Sequence, residues 1–120
     1  MDQPDVMVTT EGPYLRVTLR GPAPRGGLLQ VLDRVFAETQ SHNVWRVLVD
    51  LMSLPTPVGT FEKYQLGTEF AKRADRRMMM AVVARSELVD HFFETVARNR
   101  GGAVAVFTEE SAALHWLIGA

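Results

Sequence analysis

The chain has 120 residues, 47% of them hydrophobic, with 13 basic and 14 acidic side chains and a formal net charge of −1. A chain of this length forms one domain, residues 1–120, and buries a sufficient core without covalent or metal staples, and its dispersed charge leaves no basic footprint for nucleic acid. It contains no cysteine, which excludes a thiolate nucleophile, a cysteine-ligated zinc, an iron–sulfur cluster and a disulfide framework.

The opening residues, MDQPDVMVTT, have neither the basic start nor the apolar stretch of a signal peptide. The apolar runs further on are strand-length, short of the ~20 residues of a membrane helix. A soluble cytoplasmic protein is expected. Residues 6–10 and 14–20 read as two strands joined by Glu11-Gly12-Pro13 into a β-hairpin. In the second, Leu15, Val17 and Leu19 alternate with Arg16, Thr18 and Arg20, as on a strand with one wetter face. The breaker run at 21–27 leads to a helix in which Leu28, Leu29, Leu32, Val35 and Phe36 recur at helical spacing. Residues 46–51, RVLVDL, form a nearly continuous apolar run, as expected of a central parallel strand.

A loop containing Pro55, Pro57 and Gly59 precedes a second helix. Its expected inward stripe is Phe61, Tyr64, Gly67, Ala71 and Ala74, with Gly67 permitting close packing. Residues 78–84 form a buried strand. Ser86 is the expected N-cap of a third helix running to Arg100, with Val89, Phe92, Phe93 and Val96 inward and Gly101 as its stop. A strand at 103–107 follows. Thr108 is the expected N-cap of a last helix whose stripe is Ala113, Leu114 and Leu117. The order β-β-α-β-α-β-α-β-α predicts an α/β fold: a mostly parallel five-stranded sheet with an N-terminal hairpin, covered by about four helices.

Two segments carry a family resemblance: Arg46 to Leu51, and VARNRG at 96–101 with VFTEE at 106–110 and ALHWL at 113–117. With the element order, they resemble the SpoIIAA-like branch of the STAS family, a bacterial fold also likened to CRAL-TRIO lipid-binding domains. The resemblance implies a cytoplasmic regulatory module that is not an enzyme and that docks on a protein partner or holds an apolar ligand. In the anti-sigma-antagonist branch, an Asp-Ser-Ser-Gly turn after the strand-end Asp-Leu receives a phosphate from a kinase partner. The same spacing from Asp50 reaches Val58-Gly59-Thr60-Phe61. Thr60 falls at the hydroxyl position without the acid and small neighbours of that turn, so Thr60 is expected to cap the second helix.

Asp50 ends a strand at the edge where open α/β sheets bind ligands. It is either a polar anchor there or a cap for the following loop. That loop, with Ser53, Thr56 and Thr60, is the candidate recognition surface. Trp116 and Ile118 form the candidate interface, since Trp combines large apolar area with one N–H; the alternative is that Trp116 folds back on the domain. Met78-Met79-Met80 reads as buried strand, or as an adaptable pocket wall. Lys72-Arg73 and Arg76-Arg77 compensate the end of the second helix or face an acidic partner. His42, His91 and His115 lie on separate elements without metal-ligand spacing. Ser53, Ser86 and Ser111 lack a nucleophile-elbow context, and no glycine fingerprint for nucleotide phosphates is present. No cofactor and no metal are expected. The reading is a regulatory or scaffold module binding a protein partner or a second copy of itself. The alternative is a small apolar-ligand carrier with a pocket between sheet and helices.

Overall fold

The computed structural model describes residues 5–22, 27–55, 58–74, 76–88 and 91–120. Five strands form one sheet: β1 (Asp5–Thr10), β2 (Leu15–Arg20), β3 (Arg46–Asp50), β4 (Met79–Val83) and β5 (Val104–Phe107). They lie side by side in chain order, with β1 antiparallel to β2 and β2 to β5 mutually parallel. The hairpin turn places Gly12 at φ 78° and closes with the Glu11 N–H donating to the Tyr14 carbonyl at 2.9 Å, a backbone that glycine adopts without steric cost.

Four helices cover the sheet: α1 (Leu28–His42), α2 (Thr60–Arg73), α3 (Phe92–Asn99) and α4 (Glu110–Ile118). Each crossover between parallel neighbours steps the same way across the sheet. Crossovers are right-handed in nearly all cases, so α1, α2 and α3 must share one face. α4 follows the last strand and covers the opposite face.

The parallel register builds the core in rows. Leu15, Val47, Met80 and Val104 are cross-strand partners, as are Val17, Val49, Val82 and Val106. Both rows pack under α1 to α3. One residue along each strand, Leu48, Ala81 and Val83 meet Tyr14 from the hairpin and Ala113 and Leu117 from α4. Val47 and Val49 thus face one layer and Leu48 the other, as the period of two requires. Arg16 clamps α4 to the sheet: its two terminal nitrogens donate to the Glu110 carboxylate at 2.8 and 2.9 Å, and one lies 3.3 Å from the Tyr14 hydroxyl. This pair holds the Glu110 carboxyl below its usual range and raises the Arg16 guanidinium. At the other end of α4, Arg46 donates to the Leu117 carbonyl at 2.7 Å, one of the carbonyls a helix leaves without an internal partner.

Four local expectations are corrected. The buried stripe of α2 is Leu66, Gly67 and Phe70, not the Phe61–Tyr64 line. α2 lies between two helices: Phe70 meets the Phe36 ring of α1 at a centroid distance of 6.0 Å, and Gly67 lies against α3. A Cβ at Gly67 would stand 2.9 Å from both the Phe93 carbonyl oxygen and the Val96 side chain. These contacts turn Phe61 and Tyr64 outward. Secondly, the third helix is not continuous from Ser86. A single 3₁₀ turn spans Ser86–Leu88, and α3 begins after His91, whose backbone is left-handed at φ 64°. A left-handed residue cannot continue a right-handed helix. Phe92 then lies at the surface, while Val96 is buried and Phe93 partly so. Thirdly, Gly59 rather than Thr60 occupies the N-cap of α2, in extended backbone and without a side-chain cap. Fourthly, Glu109 rather than Thr108 occupies the N-cap of α4, which starts where Glu110 reaches Arg16. Gly26 and Val89 lie outside the described residues.

At β5, α3 closes the edge of the sheet with side chains. The Val106 N–H donates to Glu94 Oε2 at 2.9 Å, and Arg98 Nε donates to the Val104 carbonyl at 3.1 Å. Glu94 is buried and also bonds the imidazole of His91. Unpaired edge groups are a template for association, and here one acceptor and one donor, four residues apart on a helix, occupy two of them.

Candidate functional site

The carboxyl ends of β3, β4 and β5 and the amino ends of α1, α2 and α3 meet at one side of the molecule. Local hydrogen bonds shape this edge. The Leu51 N–H continues the ladder to the Val83 carbonyl at 2.8 Å, and a turn forms as the Leu54 N–H donates to the Leu51 carbonyl at 3.0 Å. The Asp50 carboxylate accepts the Met52 N–H at 2.9 Å. Arg85 reaches across from β4, donating to the Leu54 carbonyl at 2.9 Å and pairing with Glu87 at 3.1 Å.

Behind this loop lies a cavity of about 100 Å³ between the sheet and the helix layer. Val49, Met80, Val82 and Val106 form its floor; α1 contributes Val31, Leu32 and Val35, and α2 contributes Leu66. Leu54 and Val58 from the loop, with Phe93 from α3, line the rest, and the polar side chains among the described lining residues are Lys63 and His91. Beside it, the Glu62 carboxylate accepts the Leu28 N–H at 2.7 Å. A residue of α2 thereby caps α1, whose own N-cap residue, Gly27, has no side chain and a φ of 75°. The carboxylate also complements the positive end of the α1 dipole.

The surface around this edge carries exposed aromatics. Phe61 is 72% exposed and Tyr64, one turn further along α2, 42%. Phe92 is exposed at the start of the neighbouring helix, and Met52 in the loop. Arg100 lies over the Tyr64 ring, 5.4 Å from its centroid.

The residues singled out from the sequence do not all come together. Asp50 is in register with Val83, on the α4 face of the sheet and away from the cavity. Ser53 is exposed in the turn and Thr60 exposed in the first turn of α2; Thr56 and Pro57 lie outside the described residues. Trp116 and Ile118 are partly buried against the α4-side core, with the Trp116 ring 5.9 Å from that of Phe107. His42 ends α1 near Glu38, His91 joins Glu94, and His115 is exposed on α4. Among the described residues no three His, Asp or Glu side chains form a group that could hold a metal ion, and no helix is long and apolar enough to cross a membrane. The basic cluster is partly engaged: Arg73 pairs with Asp33 and lies 4.5 Å from the Phe36 centroid, and Arg77 stacks 4.3 Å over Trp45. Met78 and Met80 are buried, and Met80 lines the cavity. Phe61, Tyr64, Glu62 and Lys63 were missed as site residues. Their one signal was a second stripe, Lys63-Leu66-Gly67-Phe70, that a charged residue interrupts.

A parallel four-stranded run with an antiparallel first strand, three helices on one face and one on the other, is the SpoIIAA-like STAS fold. No protein-family profile matches the chain, and no curated protein matches it in sequence. Solved structures do. The crystal structure of an anti-sigma factor antagonist from Mycobacterium paratuberculosis superposes with a TM-score of 0.66 at 12% identity, covering 96% of this chain and 94% of that one. An uncharacterised protein with a SpoIIAA-like fold from Shewanella loihica gives 0.59 at 17% identity, covering 98% and 97%. At such identities the likeness is one of fold.

Proposed function

We propose that this protein is a non-enzymatic regulatory module of the cytoplasm that docks on a protein partner through the start of α2 and the loop before it. The exposure of Phe61 and Tyr64, one helical turn apart beside that loop, carries this reading. Large aromatics are enriched where a partner covers them. The polar groups nearby, Asp50, Arg85 and Glu62, hold backbone groups of the loop and helix ends, which suits a shaped recognition surface better than chemistry. The fold shared with an anti-sigma factor antagonist supports the same role. Trp116 and Ile118, packed on Phe107 and the α4-side core, remain the second docking face, for a further copy of the chain.

The test is native mass spectrometry of the protein purified from its own cells, wild type beside Phe61→Ser. A bound protein in the wild type that is lost from the folded variant is the expected result. The same partner retained by the variant would move the interface to Trp116 and Ile118. A second reading, an apolar-ligand carrier, is favoured by the cavity between sheet and helices.

A further inference from the structure

We propose that the cavity takes a short amphipathic carboxylate, a ligand class that rests on the carrier reading and narrows it. The size comes from the walls. The cavity measures about 100 Å³, whereas an apolar cavity of about 150 Å³ accommodates benzene. The part of the occupant enclosed here is therefore about four to six carbons long, shorter than the acyl chain of a membrane lipid.

The head group comes from the polar lining. Lys63 and His91 are the polar side chains among the described lining residues, and the Lys63 ammonium presents N–H donors. No carboxylate, amide or hydroxyl side chain lines the cavity among them. Among the described residues, two carboxylates close by are engaged: Glu62 with the Leu28 N–H, and Glu94 with His91 and the Val106 N–H. An ammonium group has three donors, so Lys63 can serve a ligand while keeping a protein contact. His91 is committed to Glu94 through Nδ1, so Lys63 is the donor that a head group meets. The Lys63 ammonium beside an apolar chamber matches a single carboxylate. A phosphate monoester would bring three oxygens and up to twice the charge.

Isothermal titration with sodium hexanoate, 1-hexanol and sodium dodecanoate tests this, on wild type, Lys63→Met and Ala84→Leu. Hexanoate should bind at one site about tenfold more tightly than hexanol, the worth of one charge-assisted contact. Lys63→Met should abolish that preference and leave hexanol binding unchanged. Ala84 lines the cavity, so Ala84→Leu should remove binding of both. Nuclear Overhauser contacts from hexanoate to the Met80 and Val82 methyls of the wild type locate the ligand should Ala84→Leu fail to fold. Equal binding of hexanol and hexanoate would overturn the carboxylate assignment while the carrier reading stands. Binding of neither would remove both. Dodecanoate binding more tightly than hexanoate would refute the size limit.

Discussion

Among single residues, the pairing of Arg16 with Glu110 is the contact with the clearest consequence. The pair joins β2 to the first turn of α4 across most of the chain and lowers the Glu110 carboxyl from its ordinary 4.5. A carboxyl that is more acidic in the folded than in the unfolded state stabilises the fold above its unfolded value, and that contribution disappears as pH falls through the native value. The Glu110 side chain is nearly half exposed, so solvent limits the effect to less than about 1 kcal/mol. The stability difference between wild type and Glu110→Gln should be present at neutral pH and vanish below the carboxylate range. Urea titrations at several pH values measure it; a difference that persists at acid pH would show that the pair does not act through its charge. Little of this was legible beforehand. Arg16 was readable as the wetter side of an alternating strand, and Glu110 as an acid in a first turn, but nothing local links positions so far apart in sequence.

At the level of elements, the packing of α2 on α3 is tight because Gly67 has no side chain. An added methyl would stand 2.9 Å from the backbone oxygen of Phe93, and backbone cannot swing aside as a flexible side chain can. Gly67→Ala should therefore destabilise by about 1–3 kcal/mol, although alanine is worth roughly 1 kcal/mol in helix propensity. Its urea midpoint should fall; a midpoint equal to or above that of wild type would mean that the helices separate at little cost. Close packing at Gly67 was legible in the sequence. The face that packs was not. Phe61 and Tyr64 read as core because they are aromatic, yet the two helices flanking α2 bury Leu66 and Phe70 instead. The helix starts were misplaced for a similar reason. Ser86, Thr60 and Thr108 each have the right side chain for a cap, but His91 breaks the third helix, Gly59 already begins the second, and Glu109 occupies the N-cap of the fourth.

For the whole molecule, one sheet couples two layers. The radius of gyration is 13.0 Å, close to the ~13.5 Å of one folded unit of this length. The two tryptophans sample opposite sides: Trp45 packs against the core under α1 to α3, and Trp116 against that under α4. If the sheet binds both layers into one cooperative unit, Trp45→Phe and Trp116→Phe, each followed by its remaining tryptophan, should give unfolding curves that coincide with far-ultraviolet circular dichroism of the same variant. Separate midpoints for fluorescence and circular dichroism would reveal an α4 layer that melts on its own.

The sequence by itself determined the element order, the two-faced strands and the helix-covered parallel sheet, because side-chain alternation, helical periodicity and glycine or proline breaks act within a few residues. Leu15, Val17 and Leu19 must share a face whatever surrounds them. Tertiary structure alone decided which side of α2 is buried, that Glu62 caps a helix other than its own, that Glu94 and Arg98 close the edge of β5, and that Asp50 lies across the sheet from the cavity. Each depends on a partner tens of residues away or on the register between strands, and contacts of that range leave no local periodicity to read.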